Sequence, residues 1–554
     1  MTTHTMAAAA VLALCLFEAS ATRSGGQSPP PPAPPPAPSS AVHEHDGGDI
    51  SSCLRANGVT NFSLPSSPTY TPLLDSSIRN LRFEAPGVGK PAAVVVPSSR
   101  RELQRAVLCA RRGALAVRVR SGGHSYEGLS YTAQNRVPFA VIDLARLSRV
   151  RVDAGAATAW AEAGATLGEV YSAVARASRA LAFSAGSCAT VGMGGHAAGG
   201  GFGLLSRKFG LAADNVLDAV LIGPGGETLT RETMDEDVFW AIRGGGGGSW
   251  GVVYAWKLRL VPVPENITVF SVSRAGPVEA IAGLMHRWQH VGPSLPDEFY
   301  LSTFIPTTAS GSSGTGGGNL SMSFTGQVLG PKPLAMAVLS QTFPELGLAE
   351  SELSEVSWLE SVVKFAGVSS GAELTSRQPG VGEYAKRKSD YVQAPISMQD
   401  TLRILQYLST GPEGSSIQLD PYGGAMARVG STETPFPHRA GYLYSIQYGV
   451  TWSASETERA DEYMAWLRSF YAFMAPYVSK NPRAAYVNYL DLDLGTNDWT
   501  NATGGTSSNS VAHAASWGER YFSTNFDRLV RAKTKVDPGN VFNNAQSIPP
   551  LYDS

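Results

Sequence analysis

The stretch from Leu115 to Gly203 constrains this chain more than any other. It carries Val117-Arg118-Val119-Arg120-Ser121-Gly122-Gly123-His124-Ser125-Tyr126-Glu127-Gly128, and later Gly186-Ser187-Cys188-Ala189-Thr190-Val191-Gly192-Met193-Gly194-Gly195-His196, running on into Gly199-Gly200-Gly201-Phe202-Gly203. Glycine admits positive φ and lets backbone approach a ligand closely, so repeated glycine beside β-like runs predicts loops wrapped round a phosphate or a flat ring. A single such turn is equally well explained as a strand connector. Two of them, one with a histidine and one with a cysteine, point to a ligand met by nucleophiles.

At 554 residues and 43% hydrophobic, the chain can bury a large core and divide into more than one domain. A net charge of −2 offers nothing to a polyanion, so nucleic acid is not an expected partner. Residues 1–22 read as a secretory signal, with an apolar run from Ala7 to Phe17 and a small-residue cleavage site at Ala19-Ser20-Ala21. That run is too short to span a bilayer, so the expected product is soluble and secreted, extracellular or in a cell wall, with no membrane partner. Of four cysteines, Cys15 leaves with the signal. Three remain, which implies one pair plus a reactive thiol. Cys53 with Cys109 is the expected pair, because it would staple the N-terminal segment to the first helix. The sequons at Asn61, Asn266, Asn319 and Asn501 fit an exported glycoprotein.

Residues 23–49 form a proline-rich leader, in which Pro29 to Pro38 favours polyproline II and cannot pack a core. Folded structure is expected from Ile50. Ala92–Val96, a helix over Ser99–Arg112 with Leu103, Ala106, Val107 and Ala110 on one face, and Leu115–Val119 make a strand–helix–strand unit leading into the His124 turn. The G-x-G-x-x-G spacing of a Rossmann fold is missing there. Phe139–Leu144, Thr158–Gly164 and Asp218–Ile222 read as strands, and Leu167–Ala180 as a helix. Gly244 to Gly248 has apolar flanks, which favour a turn packed on a ligand over a flexible linker. The character changes after Pro262, so 50–262, 263–484 and 485–554 are taken as a first domain, a second domain, and a returning segment that completes the first. Thr307 to Gly318 reads as a surface insertion. Gly441–Tyr448 reads as a strand. Ser455 with Glu458 reads as a capping box opening a helix with Tyr463, Trp466, Leu467, Phe470, Tyr471 and Met474 on its packed face.

Taken together, Arg120 to Gly128, Cys188-x-x-Val191-Gly192-x-Gly194-Gly195-His196, Arg243 to Gly251, Pro435-Phe436-Pro437-His438-Arg439, Tyr486 to Asp493, Asn525-Phe526-x-Arg528-Leu529 and Asp537-Pro538-x-Asn540-Val541-Phe542 resemble the plant berberine bridge enzyme-like family. These are FAD-linked oxidases of the vanillyl-alcohol-oxidase type, and the resemblance runs from about Cys53 to Pro549. It implies an α+β fold: a two-part FAD-binding domain with an antiparallel-sheet substrate domain. It further implies a flavin held by two covalent bonds, from His124 to the 8α-methyl and from Cys188 to C6. Both are nucleophiles that can add to an electron-poor ring. A metal site of His124, His196 and Cys188 lacks a fourth ligand and is not expected.

By the same resemblance, Ser121, Gly122, Gly123, Ser125, Gly192, Gly195, His196, Val253, Tyr486 and Asn488 surround the flavin, and Val191 stands where the family gates dioxygen. The small valine is similar to that of the oxygen-reactive members. Tyr489 is the implied base for the substrate hydroxyl, with Tyr126 and Gln447 positioning the substrate. A tyrosine serves as base only when nearby positive charge or hydrogen bonds lower its pKa. Gln447 replaces the glutamate of the alkaloid-oxidising branch. Phe202 and Ser445 replace a tyrosine and a lysine of many alcohol-oxidising relatives. The expected activity is oxidation of a small alcohol or carbohydrate end with dioxygen as acceptor, giving hydrogen peroxide. Aromatic alcohols, or a flavinylated glycoprotein of low turnover with a binding or defence role, are the alternatives.

Overall fold

The computed structural model describes residues 49–133, 137–307, 319–378, 382–497 and 510–551. The signal, the leader, most of the Thr307–Gly318 insertion and the Asn501 sequon lie outside them. The first element is the helix Ile50–Ala56, whose N-cap Asp49 accepts the Ser51 N–H at 3.1 Å. Cys53 on this helix is disulfide-bonded to Cys109 on the helix Arg100–Arg112, the pair expected from the staple it makes. Closing this loop contributes about 2–4 kcal/mol by restricting the unfolded chain.

The helix Arg100–Arg112 buries the expected stripe of Leu103, Ala106, Val107 and Ala110. Ala93–Val95 and Ala116–Arg120 both run parallel to Phe139–Asp143, which lies between them. The helix Arg100–Arg112 is the crossover that carries the chain from Ala93–Val95 to Ala116–Arg120, on opposite sides of Phe139–Asp143. Ala116–Arg120 stands at the sheet edge, where bare N–H and C=O groups would invite pairing with another chain. The C-terminal segment covers it, with Val117 N–H donating to Val541 O at 3.0 Å. A second, antiparallel sheet has the order Val150–Asp153, Thr158–Glu162, Val252–Arg259, Val216–Ile222, Thr228–Leu229.

The third sheet has seven antiparallel strands in the order Ser354–Val356, Ile267–Pro277, Asn319–Val328, Phe299–Pro306, Ser415–Pro421, Tyr444–Trp452, Tyr384–Val392. All seven residues of Ser415–Pro421 are buried, so both faces of this strand are covered. The helices Val278–Val291, Met398–Leu408 and Ala460–Phe473 pack against the sheet, with Trp288 and Phe470 fully buried. The chain's end returns to the earlier sheets. There Lys533 Nζ donates to Ser249 O and Phe542 O and pairs with Asp537 at 2.7 Å, and Arg528 pairs with Asp237 at 2.9 Å.

Some boundaries differ from those predicted. Gly441 takes φ +86° and ends a turn, so the strand begins at Tyr444 and runs to Trp452. The capping box is Ser453 with Glu456, not Ser455 with Glu458, because a 3₁₀ turn over Ala454–Arg459 precedes the α-helix. The predicted packed face of that helix is otherwise observed, with Trp466 only partly buried and stacked on Phe470. The helix from Leu167 stops at Ala177, since Ser178 is extended.

Candidate active site

The two glycine-rich turns meet backbone to backbone. A Cβ on Gly122 would lie 2.3 Å from Gly192 N, so no side chain fits between the turns. Gly123 takes φ +72°, which directs the chain sharply out of the strand Ala116–Arg120. The second turn is pinned to residues 163–168: Leu167 N–H donates to Val191 O, Gly168 N–H to Ala189 O, and Gly194 N–H to Ala163 O, at 2.9–3.0 Å. Ser121 Oγ donates to Ala163 O at 2.6 Å. In the third run, Gly244, Gly246, Gly248 and Gly251 all have positive φ, and the Gly244 and Gly246 N–H groups both bond Ala198 O. The third run is therefore an ordered turn and not a linker.

The three runs wall one cavity of about 630 Å³. This volume lies within the range of cofactor and ligand sites. His124 and Cys188 both line it, and His124 Nε2 lies 3.0 Å from Thr190 Oγ1 across the two turns. Burial, with the nearby Arg79 charge, pushes the His124 imidazole down to about 3. It is therefore neutral at pH 7, with an available lone pair. Cys188 is outside any disulfide. Ser125, Val191, Gly195, His196, Val253 and Asn488 also line the cavity. His196 Nε2 accepts the Gly186 N–H at 3.0 Å, and burial lowers it to about 4. Tyr486 does not line the cavity. It sits behind the turn, where its hydroxyl oxygen accepts from Gly201 N–H, Phe202 N–H and Asn488 Nδ2 at 2.9–3.2 Å. Its part is to fix the glycine backbone, a role no sequence pattern announced.

Sequence reasoning also missed Arg118. This residue is 2% exposed and lines the cavity, and its Nε and Nη1 meet no hydrogen-bond partner among the described residues. Its guanidinium lies 5.6 Å from the centre of the Phe139 ring. Burial without a counter-charge lowers its pKa to about 9. A buried cation left this way is costly, and an anion in the cavity would offset the cost. A glycine-lined cradle that excludes Cβ atoms, with an orphaned guanidinium, fits the pyrophosphate of a dinucleotide.

On the substrate side, Tyr126 stacks on Tyr489 with ring centroids 5.3 Å apart and an interplanar angle of 14°. Gln447 Nε2 donates to the Tyr126 hydroxyl oxygen. Tyr126, Gln447 and Tyr489 thus come together as the resemblance implies. Burial, then the neighbouring Tyr126 and Asp420, push Tyr489 well above the ordinary phenol value. The Arg387 guanidinium lies 5.0 Å from the Tyr126 ring instead, and burial still holds Tyr126 up at about 12. Gln418 and Asp420 line the same cavity and were also missed. The alternating polar positions within Ser415–Pro421 were the available signal. Among the described residues no group of three or more His, Cys, Asp or Glu is placed to hold a metal, and no helix is long and apolar enough to cross a membrane.

A family model described as an FAD binding domain matches residues 91–231, and one described as berberine and berberine like matches residues 485–549. The chain is 47% identical to berberine bridge enzyme-like D-2 of Nicotiana tabacum, covering 91% of this chain and 92% of that one. It is 46% identical to reticuline oxidase of Papaver somniferum, covering 91% and 94%. Berberine bridge enzyme of Eschscholzia californica superposes with a TM-score of 0.87 at 44% identity, covering 91% of this chain and all of that one. Phl p 4, a grass pollen allergen with glucose dehydrogenase activity, superposes with a TM-score of 0.84 at 40% identity, again covering 91% and 100%. The α+β fold, the cradle and these likenesses agree, and the chain belongs to the berberine bridge enzyme-like family of FAD-linked oxidoreductases.

Proposed function

We propose that this protein is a secreted oxidase that removes a hydride from the CH–OH group of a sugar or oligosaccharide end, with FAD bound through His124 and Cys188. The observation that carries this reading is a single cavity joining the glycine cradle, with its histidine and cysteine, to a polar sheet face bearing Gln418, Asp420 and Gln447. The FAD supplies a hydride acceptor. The chain's own residues hold it and position the alcohol. Arg118 would face the anionic portion, while neutral His124 and the Cys188 thiol would provide nucleophiles for attachment. The Tyr126–Tyr489 stack offers a flat apolar wall, and Gln447 and Gln418 offer amide donors and acceptors to hydroxyl groups. Such a mixture suits a polyol better than an all-apolar ring system. Gln447 argues in the same direction, away from alkaloid ring closure. An aromatic alcohol remains the second reading, favoured by the ring stack itself.

Acid denaturation separates the attachment claim from others: the yellow colour is expected to stay with the precipitated protein, and an intact mass without an FAD increment would remove it. Anaerobic bleaching against glucose, cellobiose and coniferyl alcohol tests the substrate class. A flavin that none of them reduces would leave the low-turnover alternative standing.

Dioxygen as acceptor is supported by two relatives. A Phl p 4 variant with isoleucine changed to valine and, five residues on, asparagine to histidine is described as a glucose oxidase. Val191 and His196 have the same spacing here. A berberine bridge enzyme variant is described as a reticuline dehydrogenase after a glycine was changed to alanine two residues before a cysteine that was varied separately. Gly186 stands two residues before Cys188, and a Cβ on it would lie 3.0 Å from His196 Cε1. Gly186→Ala is therefore expected to slow reoxidation in air by roughly tenfold or more, equivalent to at least about 1.4 kcal/mol of barrier, with flavin reduction by substrate little changed. Equal loss in both half-reactions would mean that the new methyl group disturbs the site and not the oxygen path. Among the described sequons, Asn266 and Asn319 are exposed and Asn61 is only half-buried, its Nδ2 donating to Val96 O at 2.8 Å.

A further inference from the structure

The helix Arg100–Arg112 is at odds with its own local electrostatics. It holds five arginines, Arg100, Arg101, Arg105, Arg111 and Arg112, against a single acid, Glu102. Glu102 turns back on the helix start, where its carboxylate accepts from Ser98 N–H and Oγ at 2.9 Å. Among the described residues none of the five arginines enters an ion pair or a side-chain hydrogen bond. Arg100 and Arg101 stand in the first turn, where the helix dipole disfavours cations. Arg101 and Arg105, one turn apart, repel each other. At 3.6 residues per turn, Arg101, Arg105 and Arg112 fall within about 40° of one another, along a line of about 16 Å. Arg101 and Arg112 are exposed and Arg105 is half-buried. Beside this stripe, Gln104 Nε2 donates to Gly226 O at 2.8 Å and Leu108 packs on the same turn. The net charge of −2 for the whole chain conceals this local concentration.

We propose that the stripe of Arg101, Arg105 and Arg112 is a docking surface for a linear polysaccharide that bears carboxylates. The choice of occupant rests on the sugar-end reading above. A guanidinium presents a planar fork of donors that matches a carboxylate, and three forks in a line suit a chain of them better than a single small anion. Bound carboxylates would also relieve the repulsion along the helix, so the polymer gains where the helix loses. No residue of Arg100–Arg112 lines the cavity. Docking therefore holds the protein on a polymer while leaving the cavity open to chain ends. A lipid surface suits the stripe less well, because an interfacial helix turns its apolar face to the membrane. This helix buries Leu103, Ala106, Val107 and Ala110 inside the protein, and the exposed large hydrophobics among the described residues, Leu334, Met398 and Leu551, belong to other parts of the chain. Single-stranded nucleic acid is held by aromatic stacking as well as by charge, and this helix carries no aromatic ring.

The test is co-sedimentation of the full-length protein with polygalacturonate, with its methyl ester as the uncharged polymer. The wild type is expected to bind the acid form and not the ester. Its affinity should fall steeply as salt rises, because exposed charges are screened beyond about 8–10 Å at physiological ionic strength. Arg101→Gln/Arg105→Gln/Arg112→Gln should bind roughly tenfold or more weakly, the joint effect of three exposed charge contacts. Its melting temperature should be unchanged or higher, and flavin reduction by a small sugar unchanged. Arg403→Gln/Arg428→Gln/Arg459→Gln removes the same charge from side chains more than half exposed elsewhere, and should bind as the wild type does. Should the first triple variant fail to fold, Arg112→Gln alone should weaken binding and Arg112→Lys should retain it. The proposal is overturned if the acid polymer is not bound at low salt, if the ester binds equally, or if the second triple variant loses as much as the first. It is also overturned if DNA or phosphatidylserine vesicles bind the wild type more tightly than the polymer does. Binding that persists in a protein whose flavin no sugar bleaches supports this surface and refutes the oxidase reading, whereas bleaching without binding refutes the surface alone.

Discussion

Replacing Lys386 with methionine should destabilise the protein by about 3–5 kcal/mol, the usual cost of breaking a buried ion pair by removing one partner. Lys386 Nζ contacts Glu127, Asp491 at 2.8 Å and Asp493 at 3.5 Å, and its side chain is 3% exposed. Lys388, two residues along the same strand, bonds Asp491 at 2.5 Å and Asp493 at 2.8 Å, while Arg468 reaches Asp493 at 2.9 Å. Three cations thus balance three carboxylates, with Lys386, Lys388, Glu127 and Asp491 buried and Asp493 and Arg468 at the solvent-facing edge. Without Lys386 the cluster holds an uncompensated negative charge, and Glu127 loses its only ion pair among the described residues. Four separate stretches meet in it: the first glycine turn, the strand Tyr384–Val392, the helix Ala460–Phe473, and the segment after Tyr489. Glu127 follows Tyr126, and Asp491 lies two residues beyond Tyr489. The same change should therefore loosen the Tyr126–Tyr489 stack and raise KM. A denaturant titration reads the stability, and a loss below about 1 kcal/mol would mean that the cluster is hydrated and behaves like a surface pair.

Arg118→Met should act in opposite directions on the flavin-free and flavin-bound forms. In flavin-free protein the buried guanidinium has no anion, so a methionine of similar length should raise the melting temperature. In the flavin-bound form the arginine would meet a phosphate if the cradle holds the pyrophosphate as proposed, and a charge-assisted hydrogen bond contributes about 1.5–3 kcal/mol. Its loss should weaken non-covalent cofactor capture by roughly 10- to 150-fold, seen as a lower ratio of flavin to protein in material expressed with limiting riboflavin. Arg118→Lys should be intermediate, since it keeps the charge but not the fork of donors. An unchanged ratio, or a flavin-free Met variant that melts lower, would show that Arg118 is satisfied by packing on Phe139 alone.

Much of the site was legible in the chain. The glycine turns announce themselves because a backbone that must take positive φ or come within 2.3 Å of another admits no other residue, as at Gly122, Gly123 and Gly192. The helix stripe at Leu103, Ala106, Val107 and Ala110 is legible for a similar reason, because one-sided burial imposes a period. Counting gave one disulfide and one free thiol, and the staple between the N-terminal segment and the first helix singled out Cys53 with Cys109. Where reading failed, the cause was a neighbour distant in sequence. Tyr486 resembles a cavity residue until Gly201 and Phe202, far back in the chain, claim its hydroxyl. Ser455 satisfies the capping pattern as well as Ser453 does, and only the 3₁₀ turn that precedes the helix chose between them.

The sequence by itself determined which residues could form a flavin cradle, which family's pattern they follow and which cysteines pair, because each of these is a local constraint of backbone sterics, periodicity or number. Only the tertiary structure decided how the ionisable groups are disposed. It is folding that brings Lys386 to Glu127 and Asp491, leaves Arg118 Nε and Nη1 without a hydrogen-bond partner among the described residues, and sets Asp420 on the cavity wall opposite Ser445. A side chain's charge is written in the chain, but its pKa is set by burial and by the charges that fold against it, and these come from strands and segments hundreds of residues apart.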